Sequence, residues 1–288
     1  MIKKLTVYQK PDMSDAFTMV LNSPTNVTSS TGFVVSKIDG LGPVDADINT
    51  TEMAVDGDHF NSARIGKRNI VMELIFYSEV GDGIESVRQY SYRLFPTKKP
   101  VYIEIETSNR KVYTKGYVEK NEPDIFSDME SNQVSIICPN HEWYDAEDSQ
   151  ITELTTGIDT EIDYEGEVEV GGYLVMEIDA AVTAPVADGI PAFTISCVNP
   201  DGDAQQLQVF TPTDGFVQGD ILTISSVPGN KFCIWTDTAD ADNPALNLLN
   251  QNPDWIVIKP GLNTIRVDDP NSAIGTIGFE NPICYKGV

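Results

Sequence analysis

Hydrophobic and polar positions alternate along much of the chain, and this alternation predicts β-strands. Every second residue of the segment 68–77 is apolar, so these side chains share one face of a strand: Ile70, Met72, Leu74 and Phe76. In the segment 101–106, two isoleucines alternate with two glutamates, as in a strand with one dry face and one wet face. The enrichment in β-branched and aromatic residues also favours strands over helices.

One segment departs from this pattern and predicts a helix. Its apolar residues recur at helical spacing: Ile84, Val87, Tyr90, Leu94 and Phe95. Asp82 is the expected N-cap, with Glu85 three residues later, and Pro96 follows the end of the pattern. We therefore expect one amphipathic helix of about three turns, packed across a sheet.

The chain is long enough for two domains. Its 288 residues exceed one ordinary core, and the segment 139–157 loses periodicity and becomes rich in turn-forming residues. Beyond it, short strands flank turn signals such as 199–203 (NPDGD), which predicts an antiparallel jelly-roll sandwich. We predict a mainly β protein, with a sandwich or barrel-like domain and one helix in 1–145, and an antiparallel sandwich in 146–288.

The charge excludes several classes of partner. Asp and Glu number 44 against 19 Lys and Arg, a net charge of −25, and residues 146–288 alone carry 23 acidic against 4 basic side chains. Such a surface repels phosphate backbones and anionic lipid, so nucleic-acid and membrane binding are not expected. The N-terminus has no apolar run that would make a signal peptide, so we expect synthesis in a cytoplasm.

The sequence contains no recognisable catalytic motif. The widely spaced Cys138, Cys197, Cys233 and Cys284 are typical of buried free thiols. Asp56-Gly57-Asp58 precedes His59, but this run is a common turn and lacks further metal ligands. We therefore predict no catalytic residue, no cofactor and no metal; a weak calcium site in the acidic C-terminal loops stays an alternative.

A series of turn-and-strand motifs carries a family resemblance. The first half contains 38–43 (IDGLGP), 56–64 (DGDHFNSAR), 67–70 (KRNI), 101–103 (VYI), 116–119 (GYVE) and 138–139 (CP). Their order and spacing resemble the N-terminal domain of siphophage distal tail proteins, the Dit family. The second half resembles the family's galectin-like sandwich through 165–171 (EGEVEVG), 218–224 (QGDILTI) and 260–265 (PGLNTI).

This resemblance implies a structural hub of the phage tail tip, or baseplate, and no enzyme. The family implies a hexameric ring of N-terminal domains in the virion, assembled in the bacterial host cytoplasm. The implied partners are the tail tube protein, a tail-associated hub protein, a receptor-binding protein for host attachment, and phage DNA in transit during ejection. Polar turn motifs of this kind can lock the register between copies, which makes five residues the expected assembly interface: Asp56, Asp58, Phe60, Arg64 and Arg68.

Other functions fit parts of the same sequence. A carbohydrate-binding host-adhesion protein would use the C-terminal sandwich, with Trp235 and Trp255 as the glycan contacts. Both tryptophans lie in strand-like runs, which favours a role as core anchors. A glycosidase has no positive feature, since paired carboxylates arise by chance in so acidic a chain. A component of a tail-derived injection particle is a further alternative.

Overall fold

A computed structural model describes residues 1–19, 21, 32–53, 55–77, 83–126, 130–182 and 190–288 of the chain. The chain divides into two compact units. Residues 1–147 and 285–288 form the first unit, and residues 148–284 form the second. The described residues are mainly strands in antiparallel sheets with one α-helix, which confirms the predicted fold class. None of the helices described is long and apolar enough to cross a bilayer.

The described residues of the first unit form ten strands and the helix. They are β1 (Lys4–Tyr8), β2 (Phe17–Met19), β3 (Phe33–Asp39), β4 (Ala46–Glu52), β5 (Asp58–Ile65), β6 (Arg68–Phe76), α1 (Ile84–Leu94), β7 (Pro100–Glu106), β8 (Lys111–Asp124), β9 (Ser131–Cys138) and β10 (Trp143–Leu154), the last of which continues into the second unit.

Most of these strands form a sheet that curls into a barrel. Its order is β2-β1-β7-β8-β9-β6-β3, and every neighbouring pair is antiparallel. A bulge between Val118 and Lys120 bends the long strand β8. A bridge between Leu21 and Val35 joins the chain just beyond β2 to β3, so the two ends of the sheet meet.

The inner faces of the barrel and one side of α1 make the core of this unit. The alternation predicted for 68–77 is confirmed, because Ile70, Met72 and Leu74 are fully buried while their neighbours point outward. The wet face predicted for 101–106 is wrong, because both faces of β7 are covered and Glu104 is only 5% exposed. The helix buries Val87, Ser91 and Leu94 and ends before Pro96, also as predicted. Asp82, the expected N-cap, lies outside the described residues.

The second unit is a sandwich of antiparallel sheets. One sheet has the order β18-β17-β16-β13-β21 and the other β11-β20-β14-β15, with the pair β12-β19 beside them. Its strands are β11 (Thr160–Tyr164), β12 (Val170–Gly171), β13 (Tyr173–Ile178), β14 (Phe193–Val198), β15 (Ala204–Val209), β16 (Ile221–Ser225), β17 (Phe232–Thr236), β18 (Asp242–Pro244), β19 (Val257–Ile258), β20 (Gly261–Asp268) and β21 (Ile274–Tyr285), with a 3-10 turn at Leu246–Leu248.

The cysteines belong to the cores of the units, as the sequence predicts. All four are free thiols and buried. Burial raises the pKa of Cys138 to about 11 and the pKa values of Cys197 and Cys233 to about 12. These thiols therefore stay protonated and unreactive in the folded protein at neutral pH.

Candidate assembly interface

The strands β4 and β5 form a hairpin that stands apart from the barrel. Among the strands of the described residues, they pair only with each other, in a two-stranded sheet. All seven residues of β4 and all eight of β5 are exposed. An isolated two-stranded hairpin is marginally stable in water, because neither of its faces is covered. The hairpin is therefore the part of the first unit with most to gain from a partner.

A β-bulge gives this hairpin one apolar face. On β4, Ala46 and Ile48 lie opposite Ile65 and Ala63, and Thr50 lies opposite Phe60. Strict alternation along β5 would place Phe60 on the face opposite that of Ala63. The register shift between Asn49 and Thr50 brings it back to the same face.

The apolar side chains on this face are solvent-exposed and large. Ile48 is 60% exposed, Phe60 59% and Ile65 48%. Because each is already about half buried, covering it completely would contribute roughly 1–1.5 kcal/mol. Contiguous apolar surface of this kind marks a contact site on a folded protein.

Polar side chains on both faces of the hairpin are hydrogen-bonded to one another near its tip. The Thr50 hydroxyl donates to the Asp58 carboxylate at 3.1 Å, and the Asn61 amide donates to Thr51 Oγ1 at 2.7 Å. Gly57 has φ 102° at the tip, a conformation that a residue with a side chain rarely adopts. These contacts fix the register of the strands and hold Asp58 beside the apolar face.

Four of the five predicted interface residues lie on this hairpin. Asp58, Phe60 and Arg64 are in β5 and Asp56 is in the turn before it, all of them exposed. The structure thus brings together the polar turn and the one aromatic residue that the sequence singled out. Their role in assembly stays a prediction.

Arg68 is placed differently, and its expected role as a surface contact is not supported. It is 1% exposed and lies in the interior of the first unit. Its guanidinium donates to the carbonyls of Gly40 and Gly42 at 2.6 Å each, to that of His141 at 2.6 and 2.9 Å, and to that of Lys286 at 2.8 Å. Burial lowers the pKa of this guanidinium. Arg68 therefore ties three chain segments together inside the unit.

The two candidate glycan contacts are half-buried and engaged in packing. Trp235 makes an edge-on contact with buried Phe216, at 5.9 Å between ring centroids, and its indole nitrogen is buried without a hydrogen-bond partner. The Lys231 ammonium lies over the Trp255 ring at 5.3 Å. No ring contact joins the two tryptophans among the residues described. This placement resembles core packing more than a sugar platform, and glycan binding stays a prediction.

The structure shows little sign of reactive chemistry within the described part of the chain. No group of three or more His, Cys, Asp or Glu side chains there is arranged to hold a metal ion. His59 lies on the exposed hairpin, with its Nδ1 3.3 Å from Asn61 Oδ1.

Sequence reasoning missed the first strand of the hairpin and therefore its apolar face. The segment 46–52 carries a weak strand signal, in which only Ala46 and Ile48 alternate with polar residues, and it forms β4. Phe60 is an odd number of residues from Ala63 and Ile65, so a simple period of two separates them. The position of a β-bulge cannot be predicted from one sequence. The sequence therefore does not predict that Phe60 shares a face with Ala63 and Ile65.

Comparison with protein-family models gives one match, which lies within the first unit. Residues 22–138 match the family model of the phage tail protein RIFT-related domain. Over these residues the chain is similar to a phage tail domain. This domain includes the hairpin, α1 and most strands of the barrel, and the match confirms the resemblance read from the first half of the sequence. No curated protein sequence matches the chain at a significant level.

Solved structures of phage tail components share the fold of the whole chain. The crystal structure of the Dit protein of phage SPP1, described as a paradigm of the hub adsorption apparatus in phages that infect Gram-positive bacteria, is 14% identical. The match covers 87% of this chain and 93% of that one, with a TM-score of 0.66. A chain of the phage P2 baseplate, activated with calcium, is 10% identical over the full length of both chains, with a TM-score of 0.54. The same baseplate with strontium gives 10% identity over 97% of both chains and a TM-score of 0.51. These likenesses establish the fold.

Proposed function

We propose that this protein is a distal tail hub subunit of a phage, a structural part of the tail tip that assembles into a six-membered ring. The ring joins the tail tube to the tail-associated hub protein and to the receptor-binding apparatus, and its channel passes DNA during ejection. The phage tail domain and the Dit fold support this role. The second unit, residues 148–284, takes the place of the family's galectin-like module.

The exposed amphipathic hairpin is the observation that carries the proposal. In a monomer the apolar face of the hairpin is exposed to water, which costs free energy. Such a face favours aggregation unless another chain covers it. A closed ring covers it in every copy at once. Phe60, Ile48 and Ile65 are the side chains that the ring would bury.

Substitution of Phe60 tests this assembly role. We expect the wild-type chain to form six-fold rings in negative-stain images and the corresponding mass in light scattering. Phe60→Ser removes the largest apolar side chain of the hairpin and shifts the protein toward monomers. The matched control is Phe126→Ser, since Phe126 is 94% exposed in the same unit but lies outside the hairpin. Rings that form equally well from Phe60→Ser would contradict the proposal, as would a wild-type chain that stays monomeric even with its tail partners.

A further inference from the structure

The two main sheets of the second unit turn outer faces of different character to solvent. The four-stranded sheet β11-β20-β14-β15 has a mainly polar outer face, as expected of an antiparallel sheet with one wet side. Its register places these outward residues side by side: Glu161, Thr194, Ser196, Gln206, Gln208, Thr264, Arg266 and Asp268. This face therefore serves as an internal reference for a solvated sheet surface.

The five-stranded sheet β18-β17-β16-β13-β21 has an apolar outer face instead. Its register sets one uncharged residue from each strand in a single row across the sheet: Pro244, Ile234, Thr223, Val175 and Gly278. Three further side chains lie beside this row on the same side of the sheet: Tyr173, Ile221 and Phe232. We call these eight residues the outer apolar face.

The side chains of the outer apolar face are accessible. Val175 is 42% exposed and Ile221 38%, and Ile234 between its neighbours in the row is partly exposed. At one end, the Tyr173 and Phe232 rings lie 6.3 Å apart between centroids. Outward positions of a solvated sheet are normally polar, so a contiguous apolar surface of this kind marks a contact site.

The border of this face is anionic. Exposed carboxylates lie opposite outward residues at three places: Glu280 opposite Tyr173, Glu177 opposite Ile221, and Asp242 opposite Thr236. The five strands contain no lysine or arginine. Lys231 precedes β17, but its ammonium lies over the Trp255 ring. An apolar centre with a charged border is the usual composition of a protein–protein contact surface.

A second copy of this chain is a poor occupant of the face. Each second unit holds 22 acidic side chains against three basic ones, so two units placed face to face would repel each other. The face is also small. Five strands and three rows span about 19 Å by about 14 Å, from the strand spacing and rise of a sheet. A stable interface takes roughly 800 Å² from each partner, about three times this area.

Other modes of contact fit the face less well. Strand addition at the adjoining edge is disfavoured, because β18 has only three residues and Pro244 has no amide hydrogen to donate. A sugar needs several convergent hydrogen-bonding groups, and the central row offers only the Thr223 hydroxyl. Nucleic acid and anionic lipid are repelled by the border. The remaining partner is a protein of the opposite charge.

We propose that the outer apolar face docks a different protein chain, whose contact surface is apolar at its centre and carries lysine or arginine at its edge. This proposal rests on the hub role and deepens it, because it assigns a docking surface to the second unit. The small area makes each contact weak, and the copies of a ring would add their contacts to one another.

Binding to defined probes tests the docking surface. The wild-type chain is immobilised, and the tail tube protein, the tail-associated hub protein and the receptor-binding protein of the same phage are offered separately in biolayer interferometry. We expect one of them to bind. Val175→Ser with Ile221→Ser should weaken that binding about tenfold, because two half-exposed aliphatic side chains no longer contribute.

The opposite sheet offers a matched control. Val198 is 46% exposed and Leu262 50%, and both lie on the outer face of the four-stranded sheet. We expect Val198→Ser with Leu262→Ser to bind as the wild type does. All variants should keep the wild-type melting temperature, since each position is on the surface. Equal loss of binding in the two double variants would overturn the proposal, as would unchanged binding in Val175→Ser with Ile221→Ser.

The anionic border gives an independent readout. Glu177→Lys with Glu280→Lys reverses two of its charges, so we expect weaker binding and a smaller decrease of affinity with added salt than in the wild type. Glu161→Lys, on the polar sheet, is the control and should behave as the wild type does. A salt dependence that is the same in all three proteins would contradict a partner with a basic edge.

The remaining outcomes separate the docking surface from the hub role. If none of the three probes binds while six-fold rings form, the hub role stands and the docking proposal fails. If no rings form but a probe binds and is lost in Val175→Ser with Ile221→Ser, the docking surface stands and the ring fails. Dimers in light scattering that only this variant abolishes would assign the face to a second copy and overturn the proposal.

Discussion

Arg68 holds three separate segments of the first unit together. A single guanidinium satisfies the carbonyls of four residues in three segments, and its side chain stacks on Trp143 at 5.2 Å. An arginine suits this position because its planar fork supplies five donors in fixed directions. Burial without a carboxylate partner is tolerated only because these carbonyls replace the lost water.

We expect Arg68→Ala to lower the free energy of unfolding by about 3 kcal/mol or more, because several buried carbonyls lose a charged donor together. Chemical denaturation with tryptophan fluorescence measures the loss. Arg68→Lys serves as the control: it keeps the charge but cannot reach all of the carbonyls, so we expect an intermediate loss. A change of less than about 0.5 kcal/mol in Arg68→Ala, the size of an ordinary surface substitution, would refute this role.

Buried groups of high pKa make the protein sensitive to alkali. Burial, helped by Glu104, raises the pKa of Tyr8 to about 12, and burial raises the pKa of Cys138 to about 11. In the unfolded chain these groups release their protons at lower pH than in the folded one. Their contribution to stability is therefore complete below about pH 9 and is lost as the pH rises toward these folded-state values.

Melting temperatures measured across the pH range check this expectation. We expect little change from these groups between pH 6 and 8.5 and a steady fall above pH 9. Tyr8→Phe removes the tyrosine ionisation, so its curve should fall less steeply above pH 10 than that of the wild type. Identical slopes for the two proteins above pH 10 would show that Tyr8 does not contribute.

Among the elements, the barrel strands and the helix were predictable and the hairpin was not. Strand β6 and helix α1 obey simple periods of two and 3.6 because each has one face against a single core. The hairpin has no core to impose such a pattern, and its bulge breaks the period that remains. Its candidate interface residues are indicated only by the polar turn at Asp56 and by the resemblance that this turn helps to carry.

The hairpin should also behave as a separate element in solution. In isolated chains, we expect backbone amides of β4 and β5 to exchange hydrogen rapidly while those of β6 and β9 are protected, since only the latter are covered by a core. Assembly should slow the exchange in β4 and β5. Hydrogen-exchange mass spectrometry measures both states, and a hairpin as protected as β6 in separated chains would argue against a partner-dependent element.

At the scale of the molecule, charge separates the two units. Residues 148–284 hold 22 acidic side chains against three basic ones, Lys231, Lys259 and Arg266, whereas the first unit holds 22 acidic against 16 basic side chains. We expect assembled rings to bind duplex DNA negligibly even at about 50 mM salt, because no counterions would be released. Fluorescence anisotropy with a labelled duplex measures this. Tight, salt-sensitive binding would contradict a channel through which DNA slides.

The linear domain boundary predicted at residue 145 differs from the observed division in one respect. The last four residues return to the first unit, where Lys286 receives a hydrogen bond from Arg68 and the Tyr285 hydroxyl lies 3.2 Å from Asp145. Sequence periodicity reports local structure and carries no signal for such a return. The roles of the two domains, as ring former and as galectin-like module, stay predictions.

This return of the chain makes residues 148–284 an insert within a continuous host fold. A truncation after Glu147 would discard the tail that Arg68 holds, so we expect it to be poorly soluble. A version that joins 147 to 285 through a short Gly-Ser linker should melt cooperatively, because Asp145 and Tyr285 are already neighbours. Thermal unfolding scans of the two shortened chains test this expectation. Equal melting temperatures and equal cooperativity would show that residues 285–288 are dispensable.

An insert whose two ends leave and re-enter the host fold at neighbouring residues can be exchanged as a cassette. Recombination that replaces everything from 148 to 284 would leave the hairpin and the barrel of the first unit untouched. The second unit can therefore diversify without any change in the residues of the first.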